Sequence, residues 1–330
     1  EDGRQRPIPP AALYRSECKM VRYIIVLALL LCLCACDNLS SGPRFEGDVY
    51  SIAGLLMAGA SISEDCPVYI TRSSSLDDWD LSRIFVQEAQ VEIIELGSAL
   101  RFPLEAVFDP AEMKIKWVDP QSHTIKALET YRVEVRIPGY DPLISAETTV
   151  PPMAELVDDY LQQNVPGEGY SYSQNNMPQL PYSVSDSRYP LALDLGEHGG
   201  VYNLLAELYC LEEFSSSLEF TTKILGQTHA TADMEESYYA AGEGIRRIRF
   251  INRFSADQQP EQDGNYIVLR DYRQGFIFYG RYRVSMMVAD DNYYKYNYMP
   301  EGYLHGGVEN ALGYFGSASG GTLYTNIVKP

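Results

Sequence analysis

The chain has 330 residues, 45% of them hydrophobic and 22% charged, with a formal net charge of −19. That balance belongs to a folded globular protein and not to a disordered one, and the length suits two domains of ordinary size. The acidic surplus excludes broad nucleic-acid binding, which needs Lys and Arg to displace counterions from phosphates.

The first element is an export signal. Residues 1–19 look unlike the rest, and Met20 reads as a start. Lys19 or Arg22 supplies positive charge, Tyr23–Leu33 is an 11-residue apolar run, and Leu33-Cys34-Ala35-Cys36 follows. A basic start, a short apolar run and a small residue before the cut mark export. With cysteine next, the stretch resembles a lipoprotein signal, in which the Cys36 thiol takes diacylglycerol and the chain is cut before it. Bulky Leu33 and Leu31 precede Cys34 and Cys32, so Ala35 favours Cys36; Cys34 itself, just before Ala35, departs slightly from the usual pattern. A transmembrane helix is the alternative, but Tyr23–Ala35 offers 13 residues against the roughly 20 a span requires. Removal of residues 1–35 takes away five basic and three acidic groups, moving the mature chain from −19 to near −21. Residues 36–44 read as a short tether. Cys66 and Cys210, the other cysteines of the mature chain, are expected to be buried free thiols in different domains.

Strand signals dominate beyond the tether. Tyr131, Val133, Val135 and Ile137 alternate with Arg132, Glu134 and Arg136, the period of a strand wet on one face. Val91–Leu96 and Met113–Trp117 behave similarly, and Gly97-Ser98, Asp109-Pro110, Asp119-Pro120 and Pro138-Gly139 punctuate them. Short strands separated in this way predict an all-β fold, with an immunoglobulin-like sandwich over 45–150 closed by Pro151-Pro152.

Residues 151–330 are expected to form a second β-rich domain with one or two short helices. Met153–Gln163 reads as the first helix, and Asn164–Pro190 as a long loop. Ile248, Phe250 and Phe254 alternate with Arg247, Arg249 and Arg253 along a strand. Tyr282, Val284, Met286 and Val288 form another. Asp290 or Asp291 is placed to cap a second helix over 292–299, ahead of a final glycine-rich strand region.

Several of these stretches look familiar. Val68-Tyr69-Ile70-Thr71-Arg72-Ser73-Ser74-Ser75 is one. Tyr131–Val135 leading to Glu147-Thr148-Thr149-Val150-Pro151 is another, and Asn310-Ala311-Leu312-Gly313-Tyr314-Phe315-Gly316 is a third. Together with the lipoprotein signal they resemble a large family of uncharacterised Bacteroidota envelope lipoproteins. Its members carry a domain of unknown function and are often encoded beside TonB-dependent outer-membrane receptors. The resemblance implies an all-β outer-membrane lipoprotein, on the periplasmic or cell-surface face, with a role in nutrient uptake. It implies no catalytic residues.

The residues themselves point to no catalytic site, cofactor or metal. His-Glu-x-x-His, Gly-x-Ser-x-Gly, phosphate-loop and dinucleotide motifs are missing, and His123, His198, His229 and His305 are scattered. Asp77-Asp78-Trp79-Asp80 and Asp290-Asp291 lack calcium-loop spacing. Two constellations stand out as ligand candidates. Between Ile245 and Ser285 eight arginines face four acids, a local +4 in an acidic chain. Arg247, Arg249 and Arg253 share one strand face, suited either to an anionic group or to the protein's own carboxylates. Tyr293, Tyr294, Tyr296 and Tyr298 crowd one segment, suited to stacking on sugars or to packing. The expected function is that of a non-catalytic accessory to outer-membrane uptake, held to the membrane by acyl chains. Its partners would be a TonB-dependent receptor or a glycan or peptide ligand. A structural or adhesive surface protein is the second expectation and a hydrolase the third.

Overall fold

A computed structural model describes residues 49–74, 81–157, 169–183, 190–224, 226–231, 247–256, 266–299 and 305–330. The export signal, Cys36, the tether, Asp77–Asp80, Arg246 and Tyr303 lie outside the described residues. The fold is all-β.

The N-terminal half contributes β1 (Tyr50–Met57), β2 (Tyr69–Arg72), β3 (Gln90–Glu95), β4 (Leu100–Pro103), β5 (Glu105–Asp109), β6 (Lys114–Val118), β7 (Thr130–Ile137) and β8 (Tyr140–Thr149). These make two facing layers. One is ordered β4-β3-β7-β8 and is antiparallel throughout. The other runs β1-β2, continues through an antiparallel bridge from Val68 to Trp117, and ends in the β6-β5 hairpin. In immunoglobulin lettering these strand orders correspond to C′CFG and ABED. The period-2 positions of β7 explain the arrangement: Tyr131, Val133, Val135 and Ile137 are all buried, while Arg132 and Arg136 face outward.

The corner entering β7 carries a device that the alternation alone did not disclose. Tyr131 is fully buried, and its hydroxyl accepts the Lys126 N–H at 2.9 Å and donates to Glu95 at 3.3 Å. A tyrosine near the start of strand F that bonds back to the backbone just upstream is a hallmark of the immunoglobulin-like sandwich. Desolvation pushes the Tyr131 phenol up to about 12.

The C-terminal half adds β9 (Glu155–Val157), β10 (Gln179–Pro181), β11 (Leu191–Asp194), β12 (Val201–Cys210), β13 (Glu219–Ile224), β14 (Gln227–His229), β15 (Arg247–Ser255), β16 (Tyr266–Leu269), β17 (Gly280–Ala289), β18 (His305–Gly306), β19 (Val308–Glu309) and β20 (Leu312–Val328). The helix expected over 153–163 is absent from its described part. Glu155–Val157 is a strand paired with β11, because β-branched Val157 and the short Leu156 stripe find open ladder partners there; residues 158–163 lie outside the description. The second expected helix is present as Asp291–Tyr298, with Asp290 as its cap.

The expected boundary at 150/151 separates two cores but not the sheets. One core holds residues 50–150 together with Val308 and Phe315; the other holds residues from Ala154 to Ile327. Strand β20 belongs to both. Its odd positions place Phe315 in the first core and Leu323 and Ile327 in the second. It pairs in parallel with β1 and antiparallel with β17, so the principal sheet runs β15-β12-β17-β20-β1-β2. Residues 48–330 form one compact unit. Both Cys66 and Cys210 are free; Cys210 is buried, and Cys66 is half-buried with its thiol donating to the Leu55 carbonyl at 3.1 Å.

Candidate functional site

The arginine and tyrosine constellations, separate in sequence, occupy one face of the principal sheet. Alternation along β12 sends Leu204, Ala206, Leu208 and Cys210 into the second core and leaves Asn203, Leu205 and Glu207 on the opposite face. Arg249 on β15 and Ser285 on β17 are the lateral neighbours of Glu207. Glu207 therefore collects the stripe: Arg247 lies 2.9 Å from its carboxylate, Arg283 3.5 Å and Arg249 3.9 Å. Arg253 reaches Asp291 at 3.6 Å, and Arg281 reaches Glu212 at 2.8 Å. An anionic ligand here would have to displace the protein's own carboxylates. Each such half-exposed pair contributes only about 0–1 kcal/mol.

The tyrosines reach the same face on the helix Asp291–Tyr298. Tyr293, Tyr294 and Tyr298 pack against a small apolar cluster of Leu205, Ala289 and Ala318 with Leu55, Met57 and Met287. Tyr293 stands edge-on to Tyr314 at 5.4 Å, and Tyr296 meets Tyr314 at 5.2 Å. Burial raises the Tyr293 phenol far above its ordinary range. None of the four is fully exposed, so each ring gives up part of its surface to packing.

Capping fixes the helix to the sheet. Asp290 accepts the Tyr293 N–H at 3.0 Å, the Ser317 N–H at 3.1 Å and the Thr148 hydroxyl at 2.7 Å. Glycine at 316 permits the approach, since a Cβ there would stand 2.7 Å from the Asp290 carboxylate. Asp291 is pushed up by burial, but hydrogen bonds from Asn203 and Lys295 outweigh that and hold it below its ordinary value. The sequence identified Asp290 as a helix cap, but nothing local disclosed its bonds to Thr148 and Ser317.

His123 donates through Nδ1–H to Asp119 at 2.8 Å; that carboxylate is itself nearly inaccessible and also accepts the His123 and Gln121 backbone N–H groups. The imidazole stacks on Phe102 at 4.3 Å. This carboxylate–imidazole pair closes the corner between β6 and β7. Among the described residues no hydroxyl or thiol is hydrogen-bonded to that ring. The described residues also contain no cluster of three or more potential metal ligands, and no helix long and apolar enough to cross a membrane.

No family model matches the chain, and no curated protein matches it.

Proposed function

We propose that this chain is a non-catalytic cell-envelope lipoprotein, acylated at Cys36, that assists outer-membrane uptake by binding a ligand or a TonB-dependent receptor. The observation that carries the reading is Leu33-Cys34-Ala35-Cys36 at the end of an apolar run too short to span a bilayer. One acyl chain binds a membrane only marginally, at about 0.8 kcal/mol per buried methylene, so two or three make a lasting anchor. An immunoglobulin-like body suits such a role, because its strands form a rigid frame and its end loops are free to vary.

The test is made on the mature protein. Mass spectrometry should find an amino-terminal cysteine carrying diacylglycerol, and Cys36→Ser should release the protein from the membrane fraction. Solubilised envelopes should yield the wild type together with a receptor. An unmodified amino terminus, or a serine variant that still sediments with membranes, would overturn the address and with it the proposed role.

A further inference from the structure

Among the described residues, two clefts stand out on the immunoglobulin-like body. The larger, about 510 Å³, lies on the outer face of β7 and β8 and includes Arg132, Glu134, Glu147 and Glu309. Its cationic group is already taken. Arg132 binds Glu147, and Glu134 is held by Arg136 at 3.2 Å.

The smaller cleft is about 300 Å³, within the range of small-ligand sites. It lies at the end of the sandwich where residues 85–88, ahead of β3, approach the β7–β8 turn. These are the B–C and F–G connections, the loops that carry recognition in variable immunoglobulin domains. Tyr50, Arg72, Phe85, Gln87, Glu88 and Pro138 line it. Its walls are fixed before any ligand arrives. Phe85 bridges to Thr71, the Val86 N–H donates to Ile70 at 2.9 Å, and the Trp117 indole donates to the Val86 carbonyl at 3.3 Å. Tyr50 is braced by Tyr140, ring centroids 4.8 Å apart.

The charges in this cleft differ from those on the arginine face. Arg72 is held through Nε, which donates to the Arg83 carbonyl at 2.7 Å. Its two terminal nitrogens have no partner among the described residues. Glu88 likewise has none, and the two side chains are not paired with each other. A small, aromatic-walled cleft thus presents one oriented guanidinium fork and one separate carboxylate. The fork suits a carboxylate ligand. Glu88 disfavours multiply charged anions such as phosphate and favours a ligand that also carries a cation.

We infer that this cleft binds a small zwitterion, a short peptide with free termini, with Arg72 taking its carboxylate and Glu88 its ammonium group. The inference rests on the ligand-binding part of the reading above and is independent of acylation at Cys36. Calorimetric titration of the full chain in detergent with glycyl-leucine tests it. Glycyl-leucine should bind, and N-acetyl-glycyl-leucine and glycyl-leucinamide should each bind about tenfold more weakly or worse. Arg72→Gln should abolish binding. Glu88→Gln, at an exposed position, should weaken glycyl-leucine while leaving the N-acetylated form unchanged. No heat with glycyl-leucine, equal affinity for the capped forms, equal affinity for inorganic phosphate, or an unaltered Arg72→Gln variant would each overturn the site. None of these results touches the acylation state read by mass spectrometry, so the two proposals fail separately.

Discussion

Asp290 is the residue at which three elements meet: it caps the helix, accepts from β8 through Thr148 and accepts from β20 through Ser317. Burial raises its carboxyl above the ordinary value, and the hydrogen bonds it accepts offset that only in part. Between the unfolded value near 3.9 and the raised folded value, the folded state binds more protons, so this group adds stability as pH falls. Asp290→Asn keeps an oxygen for the two N–H donors and removes the charge; the Thr148 hydroxyl can accept from the new amide. The stability advantage of Asp290→Asn over wild type should therefore be largest near neutral pH and shrink as pH is lowered toward 4. Urea midpoints of both proteins across that range test this, with other carboxylates cancelling in the difference. A difference that stays constant or grows would refute it. Asp290→Ala, which loses the cap and leaves buried donors unpaired, should cost about 1–2 kcal/mol.

Strand β20 places glycine where a side chain cannot fit. Gly313 has φ +98, and a Cβ there would stand 1.9 Å from the Ile52 carbonyl oxygen, within the parallel ladder to β1. Gly320 has φ +149 and would meet the Met286 carbonyl at 2.1 Å, within the ladder to β17. Both obstacles are backbone, so relief means separating strands. Gly139, at φ +80 in the β7–β8 turn with nothing within 4 Å, isolates the conformational penalty alone. Gly139→Ala should cost about 1–2 kcal/mol. Gly313→Ala and Gly320→Ala should each lower the denaturation midpoint clearly further; a loss no greater than that of Gly139→Ala would mean the ladders are not as close as described.

Elements such as β7, β15 and β17 were legible because burial of one face imposes a period of two on their own residues. The same holds for the short helix, whose cap and aromatic stripe are local. The strand at 155–157 was not legible, because three residues carry too little periodicity to oppose a helical reading. Nor was the grouping of the candidate site. Arg253 and Asp291 are 38 positions apart in the chain, and only the β15-β12-β17 register and the helix following β17 bring them to 3.6 Å. Arg72 and Glu88 were not legible as a site, since each sits beside a loop with no repeating pattern and their shared cleft is made by the β7–β8 turn.

At the scale of the whole molecule, two cores are joined by one strand. β20 hydrogen-bonds to β1 over seven register pairs and to β17 over ten, while its buried face supplies Phe315 to one core and Leu323 to the other. Losing β20 from either ladder would expose apolar side chains in that core and leave a long, unpaired strand edge on β1 or β17. Opening one core alone is therefore penalised by the other, and the two should unfold together. Trp117 lies buried in the first core, and in a Trp79→Phe background it is the only indole. Leu323→Ala removes a fully buried side chain from the second core, at a cost of about 2–5 kcal/mol. Cooperative unfolding requires that this substitution lower the midpoint seen by Trp117 fluorescence as much as the midpoint seen by far-ultraviolet circular dichroism. If the Trp117 transition stays where it was while the circular dichroism curve splits in two, the cores unfold independently and β20 is a tether between them, not a shared spine.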